Sequence, residues 1–301
     1  MIVSIPYQGE VFSLLTAVVW AWGVILFKKS GETVHPIALN FFKNILASLL
    51  ILPTMYAFGG TLDVPVSAKE YLLILASGAL GIGIADTLFF KSLNLLGAGL
   101  SAVIDCLYSP CVIGLSVLWL GERLTFFQGI GVVMIVSAVL TAASRKGNQI
   151  SRENLRLGIL YGALAISLMA VGIVIVKPLL NQLPVLWLSE VRLTGGLITL
   201  SIMLALHPER RSILSSFTPG KDWKYLLSGS FLGTYLALVL WLAGMKFTQV
   251  SIAAALNQTS NIFIFIFAAV FLHEAVSLQR VIGIFLGVAG TLLVTFAGGQ
   301  G

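Results

Sequence analysis

Residues 98–120 read AGLSAVIDCLYSPCVIGLSVLWL, 23 positions with a single charge, Asp105. A helix that crosses a bilayer needs about 20 mostly apolar residues. This run supplies them, without the period-two alternation of a membrane barrel strand. Working outward, similar runs occupy roughly 11–28, 36–58, 71–90, 125–143, 157–176, 185–206, 225–244, 250–272 and 279–297. The connections are mostly short, and the wettest are 144–156 and 207–224. The expected fold is an all-α integral membrane protein of ten transmembrane helices.

Composition agrees. Hydrophobic residues make up 58% of the 301 positions and charged residues 10%, with a mean hydropathy of +1.00. An average soluble chain carries about 25% charged residues. So few charges do not coat a soluble surface, which excludes a soluble enzyme, a disordered chain and a nucleic-acid binder. The net charge of +6 resides mostly in the connections. The first Lys is residue 28, after the first apolar run; a secretory signal begins with a basic segment, so the first span is expected to be retained.

Orientation follows the Lys/Arg bias. Let face A be the side with both termini. Its connections carry Lys69, Arg123, Lys177 and Lys246, whereas twelve of the 18 basic residues lie on face B. Face B is therefore expected in the cytoplasm and the termini outside, in the cell (inner) membrane.

The chain repeats itself. Lys69-Glu70-Tyr71 aligns with Lys221-Asp222-Trp223, and Gly81 with Gly233, at an offset of 152. Leu120-Gly121-Glu122 aligns with Leu272-His273-Glu274 at the same offset. Gly9, Gly23, Lys28 and Lys43 align with Gly158, Gly172, Lys177 and Arg192 at 149. Each half, 1–149 and 150–301, thus holds five spans. An odd number makes the second half enter from the opposite side, giving two inverted five-helix repeats around a central cavity. Secondary transporters use this plan, because two equivalent halves can exchange conformations.

The order of these features resembles the EamA-type drug/metabolite transporter superfamily. The carrying features are the duplicated five-span unit, the basic residue early in the second span of each half (Phe42-Lys43-Asn44, Val191-Arg192-Leu193), and Leu-Gly-Glu before the fifth span. The resemblance covers nearly the whole chain. It implies a helical basket with a central cavity and transport of small metabolites, often export. Members carry amino acids, drugs, nucleotide sugars or sugar phosphates. Nucleotide-sugar members are drawn with cytosolic termini, the opposite of the charge count.

An ionisable residue mid-span costs at least ~2.5 kcal/mol, so it should face a cavity or a partner. Lys43, Asp86 and Asp105 all lie ~6–11 Å in from face B by residue count. They are expected to form one cluster, a cation with two candidate carboxylates. Asp105 is the candidate for a substrate ammonium or a proton, and Lys43 for an anionic group or counter-charge. The alternative is a register-fixing pair, Lys43–Asp86 or Lys43–Asp105. Asp105 aligns with Asn257, so only one half keeps the carboxylate. Glu190 and Arg192, two apart, point about 200° from each other and need separate partners. Asn257 and Asn261 share a helix face and are candidate cavity-lining residues. Trp20, Tyr108 and Tyr235 are candidate stacking surfaces. Glu122 and Glu274 sit at short turns, where each is expected to cap the helix that follows. Pro110 frees the carbonyl of Cys106, placing a bend or hinge beside Asp105.

Cys106 and Cys111 point about 140° apart on a helix, which disfavours a disulfide or a metal pair. There is no phosphate-binding Gly-rich loop with Lys and Ser/Thr and no His-Glu-x-x-His spacing, so no cofactor, ATP or metal is expected. The expected partners are a small-molecule substrate, with the proton as candidate co-substrate, and the lipid bilayer. The favoured function is secondary transport, foremost export of amino acids or related amines. Anionic metabolites held by Lys43 and Arg192 are second. A membrane enzyme using Asp86 and Asp105 on a lipid-linked substrate, and a scaffold subunit, are the readings from other classes.

Overall fold

The structure is a computed structural model that describes residues 7–120, 125–142, 150–180, 182–217, 220, 223–248 and 250–298. Every regular element among them is helical. The first half comprises α1 (Gln8–Ser30), α2 (Pro36–Ala57), α3 (Ala68–Leu96), α4 (Ala98–Asp105), α5 (Tyr108–Leu120) and α6 (Phe126–Ala142). The second comprises α7 (Arg152–Leu180), α8 (Val185–Leu206), the short α9 (Arg210–Ser215), α10 (Trp223–Phe247), α11 (Val250–Asn257), α12 (Ser260–Phe271) and α13 (Leu278–Gly298).

Among the described residues eight helices are long and apolar enough to cross a membrane, with α4 and α5 counted as one. The fifth and ninth sequence spans correspond to shorter apolar helices, α6 at 17 residues and α12 at 12. The outer surface carries large apolar side chains such as Leu118, Phe126, Leu140 and Phe285, all more than 60% exposed. A soluble surface does not tolerate such a contiguous apolar cover; lipid does.

Local signals set the helix starts. Pro36 opens α2, where its missing N–H costs nothing, and the His35 side chain accepts from the Ile37 N–H. Ser67 and Glu70 form a reciprocal capping box at the start of α3. Inside the bundle the helices depart from α geometry at two corresponding places. Residues Ala79–Ile84 of α3 and Ser230–Leu236 of α10 wind as π-helix. A shift of 152 residues superposes these segments almost completely. The fourth and ninth spans are broken instead: α4 stops at Asp105 and α11 at Asn257, again 152 apart. At each break the backbone tightens, with Leu107 N–H bonding to Ile104 and Thr259 N–H to Leu256. Pro110 is therefore not the cause shared by both breaks, because its counterpart is Ile262.

The two halves do not pack as separate bodies. α1 packs chiefly on α10, α11 and α12 of the second half, and α7 packs on α3, α4 and α5 of the first. The crossings are glycine on glycine. A Cβ on Gly23 would lie 2.4 Å from the Gly233 Cα, and one on Gly172 would lie 3.3 Å from the Gly81 Cα. Small residues allow such backbone approach where no hydrophobic force drives helices together. α6 and α13 form another extensive pair, along Gly131, Gly283 and Gly290.

At one end of the bundle α4 packs against α12. Among the described residues no comparable packing joins α5 and α11, the corresponding pair at the other end. His273, which stands where the first half has Gly121, adopts a positive φ of 53°.

Two substitutions test this account by thermal unfolding in detergent. Gly23→Val should destabilise by about 1–3 kcal/mol through backbone overpacking. His273→Gly should stabilise by about 1 kcal/mol, because a left-handed conformation disfavours a side chain.

Candidate functional site

The site begins in α2. Asn40, Lys43 and Asn44, spaced by three and four, share one face of an otherwise apolar helix. The Asn40 Nδ2 donates to the carbonyls of Ile82 and Gly83, at 2.8 and 3.2 Å, and to Thr87 Oγ1 at 3.0 Å. These carbonyls lie in and beside the π-helical turns, where backbone acceptors need a partner. Asn44 donates back to the Asn40 carbonyl, and Lys43 donates to Asn44 Oδ1 at 3.2 Å. Lys43 also donates to Asp86 Oδ2 at 2.6 Å, an ion pair with side-chain exposures of 8% and 18%. Its ammonium lies 5.8 Å from the Phe90 ring centroid. Of the two carboxylates that residue depth placed near Lys43, Asp86 takes it.

Asp105 has no cation paired to it among the described residues. It is the last residue of α4, half-buried at the break, with the Asn261 amide nearby. Asn261 is buried, and its Nδ2 also reaches Cys106 Sγ at 3.6 Å. The Oδ1 atoms of Asn261 and of Asn257 are buried without a hydrogen-bond partner among the described residues. Such acceptors are costly unless something supplies a donor.

Arg192 enters from α8. Its Nε donates to Ser77 Oγ at 3.0 Å, and Ser77 in turn donates to the Gly172 carbonyl at 2.6 Å. The guanidinium lies beside Gly81, where a Cβ would meet its Nη2 at 3.4 Å, an ordinary contact. Arg192 lies within electrostatic range of Asp86 and Tyr108, and Tyr108 within range of Asp105. The structure thus brings Lys43, Asp86, Asp105, Tyr108, Arg192 and Asn261 together. Asn257 occupies the matching end of α11.

The remaining candidates sit elsewhere. The Tyr235 hydroxyl lies 2.7 Å from Thr54 Oγ1, tying α10 to α2. Trp20 is half-buried against the main apolar core. Glu190 is buried, with Ser48 donating to its Oε1 and no partner for Oε2 among the described residues. Cys106 and Cys111 are free thiols. Among the described residues no group of three or more His, Cys, Asp or Glu could hold a metal.

The caps need a correction. Glu274 does not cap α13, the helix that follows it. Its Oε1 accepts from the Ala98 N–H at 2.6 Å and its Oε2 from the Gly99 N–H at 3.0 Å. It therefore caps α4, in the other half, because the turn after α12 lies against the start of α4. Glu122 lies outside the described residues. Sequence reasoning also missed Ser77 and Asn40. Polarity on the Lys43 face was the available signal for Asn40; Ser77 carried none.

Comparison with known proteins adds the following. The profile of the EamA-like transporter family matches residues 7–143 and again residues 156–296. An uncharacterized transporter of Archaeoglobus fulgidus is 27% identical over 285 residues, covering 94% of this chain and 96% of its own. The uncharacterized transporter YvbV of Bacillus subtilis is 26% identical over 295 residues, covering 93% and 90%. A crystal structure superposes over 98% of this chain and 99% of its own with a TM-score of 0.66 at 16% identity, which is a likeness of fold.

Breaking a buried pair on one side leaves an uncompensated charge and costs about 3–5 kcal/mol, whereas an apolar replacement of both partners is often neutral. Lys43→Met should therefore be strongly destabilising, and Lys43→Met with Asp86→Leu should recover most of the loss. Thermal unfolding of the single and double variants measures both.

Proposed function

Because the chain belongs to the EamA-like transporter family and is a multi-pass membrane protein, we propose that it is a secondary transporter working by alternating access. In this reading ten spans form two inverted five-helix repeats, 1–149 and 150–301, around one cavity. Two profile matches, two π-helical segments and two span breaks at matching offsets support it. Face B is cytoplasmic in the cell membrane, with both termini outside, as the Lys/Arg bias suggests.

The substrate is a small polar metabolite, foremost an amino acid or related amine, and the direction is export. One observation carries this choice. Asp86 already neutralises Lys43, whereas no cation among the described residues pairs with Asp105. The cavity thus offers one unmatched carboxylate, buried amide acceptors at Asn261 and Asn257, and the Arg192 guanidinium. A zwitterion presents the complementary set: an ammonium for Asp105 and Asn261, a carboxylate for Arg192. A proton on Asp105 would substitute for the ammonium on the return step. Tyr108 lines the space between them. Anionic metabolites are disfavoured because Lys43 is not free to receive them. A carboxylate-pair enzyme is disfavoured because Asp86 is committed to Lys43.

A thermal-unfolding screen of purified protein against amino acids, amines, sugar phosphates and nucleotide sugars tests the reading. A ligand at 100 times its Kd should stabilise the fold by about 2.7 kcal/mol. The expected result is a shift with amino acids or amines that Asp105→Asn removes, together with at least a roughly tenfold loss of flux, or about 1.4 kcal/mol. A shift confined to phosphorylated ligands, or wild-type flux in Asp105→Asn with unchanged pH dependence, would overturn the assignment.

A further inference from the structure

The cap on α4 is supplied from outside its own half. The first backbone N–H groups of a helix have no partner within it. The residue that would normally provide one here is Gly97, which has no side chain and a φ of 83°. Glu274 takes that place, accepting from the Ala98 and Gly99 N–H groups. A Cβ on Gly97 would lie 2.5 Å from Glu274 Oε1, so the glycine is what admits the carboxylate. Charge and the helix dipole both favour an anion at this end. Lys28 and Arg280 lie within electrostatic range of the same carboxylate, and Lys28 donates to the Asn94 carbonyl at 3.1 Å, just before the turn.

This contact sits beside the α4–α12 packing. α4 is eight residues long and ends in Asp105. One short rigid helix therefore joins Glu274 to the candidate coupling carboxylate, about 12 Å away along its axis. We propose that Glu274 is the latch of face B: its hydrogen bonds to α4 hold that face shut, and their release lets α4 and Asp105 part from α12. Glu274 is thus a positioning residue for transport. The inference rests on the alternating-access reading above, but its test does not depend on knowing the substrate.

The reporter is Ser101→Cys on α4, one turn in from Gly97 and 4% exposed, with Cys106 and Cys111 replaced by Ser. The full-length protein is reconstituted into vesicles, and a membrane-impermeant maleimide is applied from each side. Tag accessibility assigns the face. Adding Glu274→Gln should speed labelling from face B about tenfold and leave labelling from face A unchanged or slower. Gly97→Ala, which displaces the carboxylate while keeping it, should do the same. Equal acceleration from both faces would reveal a merely structural cap and overturn the proposal; so would no change from face B. If neither variant folds, hydrogen exchange on the unmodified protein decides. The latch requires the 97–101 and 272–276 peptides to open at one common rate, and different rates would refute it. Transport failure is read separately from the ligand screen, so either reading can fall without the other.

Discussion

In the interior of a bilayer every backbone N–H and C=O must be satisfied by the protein itself. This constraint governs each departure from α geometry in the bundle. The π-helical turns of α3 persist because Asn40 collects the carbonyls of Ile82 and Gly83. The uncapped start of α4 persists because Glu274 arrives from the other half. At the breaks after Asp105 and Asn257 the backbone bonds back three residues instead of four. Several polar side chains in this chain therefore sit where irregular backbone needs them.

The polar centre has two layers with different roles. Asn40, Asn44, Lys43 and Asp86 form a closed network in which Lys43 is satisfied by Asp86 and Asn44. Asp105, Tyr108 and Arg192 lie within electrostatic range in a second group, where the Asn261 Oδ1 is buried without a hydrogen-bond partner among the described residues. A buried ion pair is weak evidence for function, since such pairs also fix helix register. Among the described residues no cation pairs with Asp105, which is why the proposed transport role rests on it.

Much of the architecture was legible in the sequence because apolar run length is a strong local signal. Eight runs reappear as long apolar helices, and the run at 250–272 reappears as two helices split where Asn257-Gln258-Thr259 stands. Side-chain partners were less legible. Depth arithmetic placed Asp86 and Asp105 equally near Lys43, but choosing between them requires helix rotation, altered by the π-helical turns just before Asp86. Glu274 was misassigned for a related reason. A cap is usually local, whereas this one joins residues 175 and 176 apart in the chain.

The exchange of first helices between halves has a consequence for how the chain is made. α1 packs mostly on helices that begin at Trp223 or later. At ~5–20 residues per second of synthesis, α1 enters the membrane roughly ten to forty seconds before most of its neighbours exist. During that interval Gly23 presents bare backbone to lipid, and neither half completes its packing alone. The sequence duplication therefore does not mark two folding units. Assembly is deferred until the ribosome has nearly finished, and a truncated chain would leave unpaired helices for the cell's membrane quality control.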